Sequence, residues 1–251
     1  SIGLQSANDG ERRILGRRAG KSEVQSVVSR AKKAGINNIS LDVMLGVPGQ
    51  TKESLKSTLD FCISSGVPHL SCYILKIEEN TPFFRMRDKL PFPSDDDTAD
   101  MYLFMCEYLE EHGIIQYEIS NFAVPGFESR HNLKYWHDEE YLGIGASAHS
   151  FLGGKRTYYP RDIEYFISGN ERLTEGDGGD EEEFCMLALR LREGLTQERF
   201  YARFHHEIPQ KMLESAKQYE KYGLCSCESG GISLTRRGFL LSNSVISEII
   251  L

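Results

Sequence analysis

The chain is short of the features that would tie it to a membrane, a nucleic acid or a stapled scaffold. None of its apolar runs approaches the ~20 residues a membrane span needs, and no basic-then-apolar leader opens it. Positive charge is in deficit: 29 Lys and Arg stand against 37 Asp and Glu, a net −8. Such a chain is repelled by phosphate backbones and anionic surfaces, which argues against nucleic-acid binding. The six cysteines, Cys62, Cys72, Cys106, Cys185, Cys225 and Cys227, form no CxxC and no CxxxCxxC. They read as small buried or half-exposed thiols in a reducing compartment, and so as a cytoplasmic protein. Cys225 and Cys227 alternate on an expected strand and would share a face, but two sulfurs alone make a poor metal site. No GxGxxG follows any strand, which weighs against a dinucleotide-binding sheet. There is no initiator methionine either. SIGLQS already reads as a buried strand and its loop, so the chain is expected to begin inside a domain.

The 251 residues, 40% hydrophobic and 26% charged, are enough for one or two domains with a sizeable core. The first half alternates strand and helix. Strands are expected at 2–4, 39–45, 69–77 and 117–122. Helices are expected after Ser22, read with Gln25 as a capping box, after the cap Thr51, and after Ser94 with its three acids. Gly35 and Gly113 are stops. The nearly continuous apolar ISLDVML suits a parallel strand covered on both faces. Strand–helix–strand units with short connections imply right-handed parallel pairing, in an open sheet or a βα-barrel. Val47-Pro48-Gly49-Gln50 suits a type II turn. Residues 170–180 are acidic and glycine-rich and read as a linker. Beyond them come helices over 182–192, 196–204 and 209–222, a hairpin around Gly230-Gly231, and a last helix over 236–249, a winged-helix-like pattern. That gives domains of 1–169 and 181–251 flanking the linker. His205 and His206 are expected side by side on a helix, facing different directions.

Chemistry is expected at the carboxyl ends of the strands. Gln5 ends the first, Asp42 interrupts the second, and Arg17 lies between them. A carboxylate in an apolar strand costs several kcal/mol if buried without donors. Asp42 therefore needs either a structural partner such as Arg17, a solvated position, or ligand hydroxyls. Residues 130–150, RHNLKYWHDEEYLGIGASAHS, hold three of the seven histidines and the one tryptophan. By residue type alone Trp136, Tyr135 and Tyr141 suit a core, His131 a hydrogen-bonded interior position, His137 beside Asp138 a solvated pair, and His149 a strand end.

SIGLQS, ILGRR, LDVMLGVPGQT, YEISNFA, RHNLKYW, YLGIGASAHSF and ISLTRRGFLLSN, in that order, resemble the radical S-adenosylmethionine family of oxygen-independent coproporphyrinogen III oxidase-like proteins. The resemblance covers nearly the whole chain. It implies an α/β partial radical SAM barrel, here without its first strands, followed by the small winged-helix-like domain. HNLKYW resembles a block that marks the haem chaperone, HemW-type, branch; the alternative is the oxidase branch, which decarboxylates coproporphyrinogen III. On this resemblance Gln5, Arg17, Asp42, Leu75, Lys76 and His149 would line an S-adenosylmethionine site. His131, with Tyr135 and Trp136, would meet haem, His131 as a ligand of its iron. The family's [4Fe–4S] cluster needs a CxxxCxxC that this sequence does not contain, so the chain alone is expected to be inactive in radical chemistry. The partners implied are haem or a porphyrinogen and a haem-accepting protein, with membrane contact at most peripheral and through that acceptor. The oligomeric state is left open.

Overall fold

Ile2–Gln5 (β1), Ser40–Leu45 (β2) and His69–Ile74 (β3) pair in parallel, in that order across a sheet. The two-residue period of a strand decides what each face carries. Leu41, Val43 and Leu45 of β2 are sealed, whereas Ser40, Asp42 and Met44 are only part-buried. The expectation of a strand covered equally on both faces therefore gives way to alternation: one side is core, the other polar.

In this computed structural model, which describes residues 1–250, the core side is covered by helices. They are Asp9–Ile14 (α1), Lys21–Lys33 (α2), Lys52–Ser64 (α3) and, after the short Pro82–Met86 (α4), which buries no residue, Asp95–Glu111 (α5). α2 packs on β1, and α3 and α5 pack on β2 and on each other. Leu55 and Leu59 of α3 and Met105 and Leu109 of α5 are fully buried there, each side chain worth about 2 kcal/mol. The expected caps of α3 and α5 form: Thr51 Oγ1 accepts from the Ser54 N–H at 3.2 Å and Ser94 Oγ from the Asp97 N–H at 3.0 Å. α2 starts earlier than expected. Its cap is Gly20, whose N–H donates to Glu23 Oε2 at 3.0 Å. Glu23, not Gln25, closes the box, and Ser22 lies inside the helix.

The fourth strand position also differs. Ile115–Gln116 (β4) and Asn121–Ala123 (β5) form a hairpin, and β5 runs antiparallel to β3, giving the order β1-β2-β3-β5-β4. The segment read as one parallel strand reverses at 117–120, where the Ser120 N–H donates to Glu118 Oε1 at 3.1 Å.

Residues 1–128 form one compact unit, and a second begins at Ser129. The second unit opens with Arg130–Trp136 (α6). The antiparallel sheet His149–Leu152 (β6), Lys155–Tyr158 (β7) and Leu173–Asp177 (β8) follows, with Ile163–Ile167 (α7) between β7 and β8. The segment 170–180, read as a linker, thus carries an ordered strand, and residues 129–177 share a unit with the C-terminal helices. Those are Glu181–Ala188 (α8), Gln197–Phe204 (α9) and Gln210–Glu220 (α10), then the hairpin Cys225–Ser226 (β9) and Ser233–Leu234 (β10). The expected final helix is two, Arg236–Leu240 (α11) and Ser242–Ile250 (α12). α9 ends at Phe204, and His205 caps it in the left-handed region at φ 62°. The adjacent His205 and His206 are therefore not both helical. No described helix is long and apolar enough to cross a membrane.

Candidate functional site

The polar side of the first unit's sheet is a row in register. Gly3 of β1 lies beside Asp42 of β2, Asp42 beside Ser71 of β3, and Ser71 beside Asn121 of β5. Paired residues share a face, so these four lie side by side. Gln5 joins them from the end of β1. The ladder slips between Gly3 and Gln5, and Gln5 takes a left-handed φ of 65°, a conformation that costs a non-glycine residue about 1 kcal/mol or more and clusters at functional sites. The carboxamide is carried back over Gly3: a β-carbon on Gly3 would sit 2.9 Å from Gln5 Nε2 and 3.9 Å from Asp42 Oδ2. Gly3 is thus a floor that the Gln5 amide and the Asp42 carboxylate both flank. Asp42 Oδ1 accepts a hydrogen bond from Ser1 Oγ at 2.8 Å.

Below that row lies a relay that the sequence reading passed over. His69 is 5% exposed. Its Nδ1 meets Ser40 Oγ at 2.7 Å and its Nε2 meets the Tyr117 hydroxyl at 2.8 Å. Burial holds this imidazole down at about 4, against a weaker opposing pull from Asp42. Ser71 Oγ lies 3.3 Å from Ser40 Oγ. His69, Ser71 and Asn121 sit at alternate positions of HLSCYI and SNF, a two-residue period that could have marked them as one face.

The remaining expected residues of this group are placed differently. Arg17 is exposed and makes no side-chain hydrogen bond or ion pair with another described residue, so the structural Asp42–Arg17 pair does not form. The Leu75 N–H is committed to Leu45 O at 2.8 Å. Lys76 is exposed and pairs with Glu78 at 2.9 Å. The connection after β2 is the expected type II turn: Gly49 has φ 77° and the Gln50 N–H donates to Val47 O at 2.9 Å. Gln50, buried, ties the turn down, accepting from the Gly46 N–H at 2.8 Å and donating to Glu11 Oε2 at 3.2 Å.

In the second unit, His131 and Tyr135 are one helical turn apart on α6, and His131 Nε2 meets the Tyr135 hydroxyl at 2.8 Å. The Tyr135 ring packs edge-on against Tyr141, centroids 4.6 Å apart. Trp136, five residues from His131, points well round the helix from it and lies under the Arg190 guanidinium, 5.8 Å away. The expected trio is therefore a pair plus one: His131 and Tyr135 share a flank, and Trp136 faces elsewhere, against Arg190. His137 is not a solvated partner of Asp138 but lies 3.3 Å from Glu193. Asp138 is buried between Arg156 and Arg203, each 3.5 Å away, and burial pushes its carboxyl up to about 6. His149, exposed at the start of β6, meets Glu175 at 3.1 Å and stacks on Tyr158. Gly143 is required beside it, because a β-carbon there would fall 2.1 Å from the His149 carbonyl oxygen.

Among the described residues no three or more His, Cys, Asp or Glu converge to hold a metal ion. Five of the six thiols are buried, and burial pushes Cys62, Cys185 and Cys225 up to about 12. These residues do not fit an iron–sulfur cluster. The polar face, by contrast, offers the kinds of group a nucleoside ligand would use: an amide, a carboxylate and a buried acceptor, Asn121 Oδ1, that no described donor meets.

The comparisons with known proteins agree with this architecture. Residues 1–62 match the Radical SAM superfamily and residues 181–241 the HemN C-terminal domain. A solved structure titled as coproporphyrinogen III oxidase (HemN) from Escherichia coli, a radical SAM enzyme, aligns over 98% of this chain and 62% of its own, with a TM-score of 0.78 at 19% identity. Fold and domain matches together define a radical SAM-type α/β protein carrying a HemN C-terminal domain. The whole chain is 34% identical to the heme chaperones HemW of Lactococcus lactis and Bacillus subtilis, spanning 68% and 69% of their lengths. The chain belongs to the HemW haem chaperone family.

Proposed function

We propose that this chain is the part of a cytoplasmic haem chaperone that holds S-adenosylmethionine on its first unit and haem on its second, and that it hands haem to an acceptor protein. The nucleoside half of this reading rests on one observation, the Gln5 carboxamide laid over Gly3 beside the Asp42 carboxylate. Asp42 accepts hydrogen bonds from ribose hydroxyls, displacing the Ser1 hydroxyl that now meets it, while Gln5 both donates and accepts. Arg17 swings in from solvent and meets the carboxylate of the amino-acid head with its planar fork. Leu75 and Lys76 line the site through their carbonyls. Bound S-adenosylmethionine supplies a sulfonium-activated adenosyl group.

For haem, His131 is the proposed iron ligand. It is exposed, its Nδ1 is not tied by a described partner, and Tyr135 braces the other nitrogen at 2.8 Å. A partner on the second ring nitrogen orients a metal-bound imidazole. Haem titration followed at the Soret band tests this: His131→Ala shifts the band less and weakens binding about tenfold or more, as expected for loss of an axial ligand. Equal titrations of variant and wild type remove His131 from the site.

A further inference from the structure

The row Gly3–Asp42–Ser71–Asn121 contains a residue, Asn121, that the expected S-adenosylmethionine set of Gln5, Arg17, Asp42, Leu75, Lys76 and His149 does not include. Asn121 is 5% exposed. Its backbone is fully engaged: it pairs with Ser71 in the ladder, and its carbonyl accepts from the Tyr117 N–H at 3.1 Å. Its side chain is not, since Oδ1 is buried and has no hydrogen-bond partner. Buried acceptors in folded proteins are met by a donor as a rule, and the exceptions need an explanation. The core offers none, because the alternate residue Phe122 faces the aliphatic side with Leu41 and Leu70, all three sealed. The neighbours on the polar side do not supply one either: Ser71 Oγ is engaged with Ser40, and Asp42 is itself an acceptor.

We infer that Asn121 is a ligand-binding residue of the S-adenosylmethionine face, its Oδ1 accepting a hydrogen bond from an N–H or O–H donor of the bound molecule two strands across from Asp42. The inference rests on the proposed nucleoside site and extends it from the β1–β2 edge to β5. It also gives the antiparallel β5 a purpose. Only in that register does position 121, rather than the bulky Phe122, face the same way as Ser71 and Asp42.

Isothermal titration of this chain with S-adenosylmethionine tests it, using wild type, Asn121→Leu and Asp42→Ala, with the ligand-free melting temperature as the second readout. Leucine has nearly the shape of asparagine and no acceptor. Asn121→Leu is expected to weaken binding about five- to tenfold, the worth of one neutral hydrogen bond. Its ligand-free melting temperature is expected to equal or exceed that of wild type, because a buried unmet oxygen has been removed. A merely structural Asn121 would instead lower the melting temperature. Unchanged affinity in Asn121→Leu with binding lost in Asp42→Ala overturns this inference and leaves the nucleoside site standing, as does a melting temperature that falls. Absence of binding by wild type overturns both. 5′-Methylthioadenosine, which keeps the adenine and ribose donors and lacks the ammonium, locates the donor: a loss shared by both ligands places it in the nucleoside, a loss confined to S-adenosylmethionine in the amino-acid head.

Discussion

Acid should loosen the first unit's sheet through His69. Its imidazole is 5% exposed and wedged between Ser40 and Tyr117. Burial keeps it neutral, lowering it from the ordinary 6.5 to about 4. The unfolded chain binds the proton first, so this contribution to stability is complete above 6.5 and is lost as pH falls toward 4. Between pH 7 and pH 5 the loss is about 2 kcal/mol, rising to about 3 kcal/mol below pH 4. The single tryptophan, Trp136, lies in the second unit and would report on the wrong part of the molecule. Native-state hydrogen exchange of the β2 and β3 amides is the appropriate assay. Replacing His69 with Gln removes the titration while keeping polar atoms for Ser40 and Tyr117. Wild type should lose about 2 kcal/mol more than His69→Gln between pH 7 and pH 5. Equal losses would show that His69 takes up a proton in the folded sheet without cost and would refute the reasoning.

Two further outcomes follow from the packing. Gly3→Ala places a methyl 2.9 Å from the end of the Gln5 side chain, which is flexible and will move. Calorimetry should find S-adenosylmethionine binding weaker by about tenfold, the equivalent of about 1.4 kcal/mol, with melting temperature nearly unchanged. In the second unit, burial raises Asp138 to about 6, so the stability of its neutral form is present at low pH and fades as pH rises through 6. Asp138→Asn keeps the side-chain shape, suits the left-handed φ of 53° there, and should flatten that decline; Trp136 fluorescence melts from pH 4 to pH 7 measure it.

The fold was legible where one local rule acted alone. Thr51 and Ser94 each had a side-chain acceptor, and the apolar stripes of α3 and α5 left no second choice. It was illegible where two rules competed. YEISNF has the composition of one strand, but the Glu118 carboxylate takes the Ser120 amide and turns the chain, so β5 came out antiparallel. RLTEGD reads as a loop by charge, and yet it pairs as β8 because exposed strand residues need not be apolar. Within the site, Gln5 and Asp42 stood out as polar residues among aliphatics, and the structure brings them together. Arg17 did not join them, since nothing local orients a long exposed side chain. Trp136 was grouped with His131 by proximity in sequence, although five residues along a helix lead to another flank. His69, Ser71 and Asn121 were missed because a face exists only after strands are laid side by side.

The most direct test of the account is calorimetric titration of this chain with S-adenosylmethionine, wild type against Asp42→Ala. Saturable one-to-one binding that Asp42→Ala abolishes, with His131→Ala leaving it intact, is the predicted result. No binding by wild type, or equal binding by Asp42→Ala, would contradict the placing of a nucleoside on the Gly3–Gln5–Asp42 face.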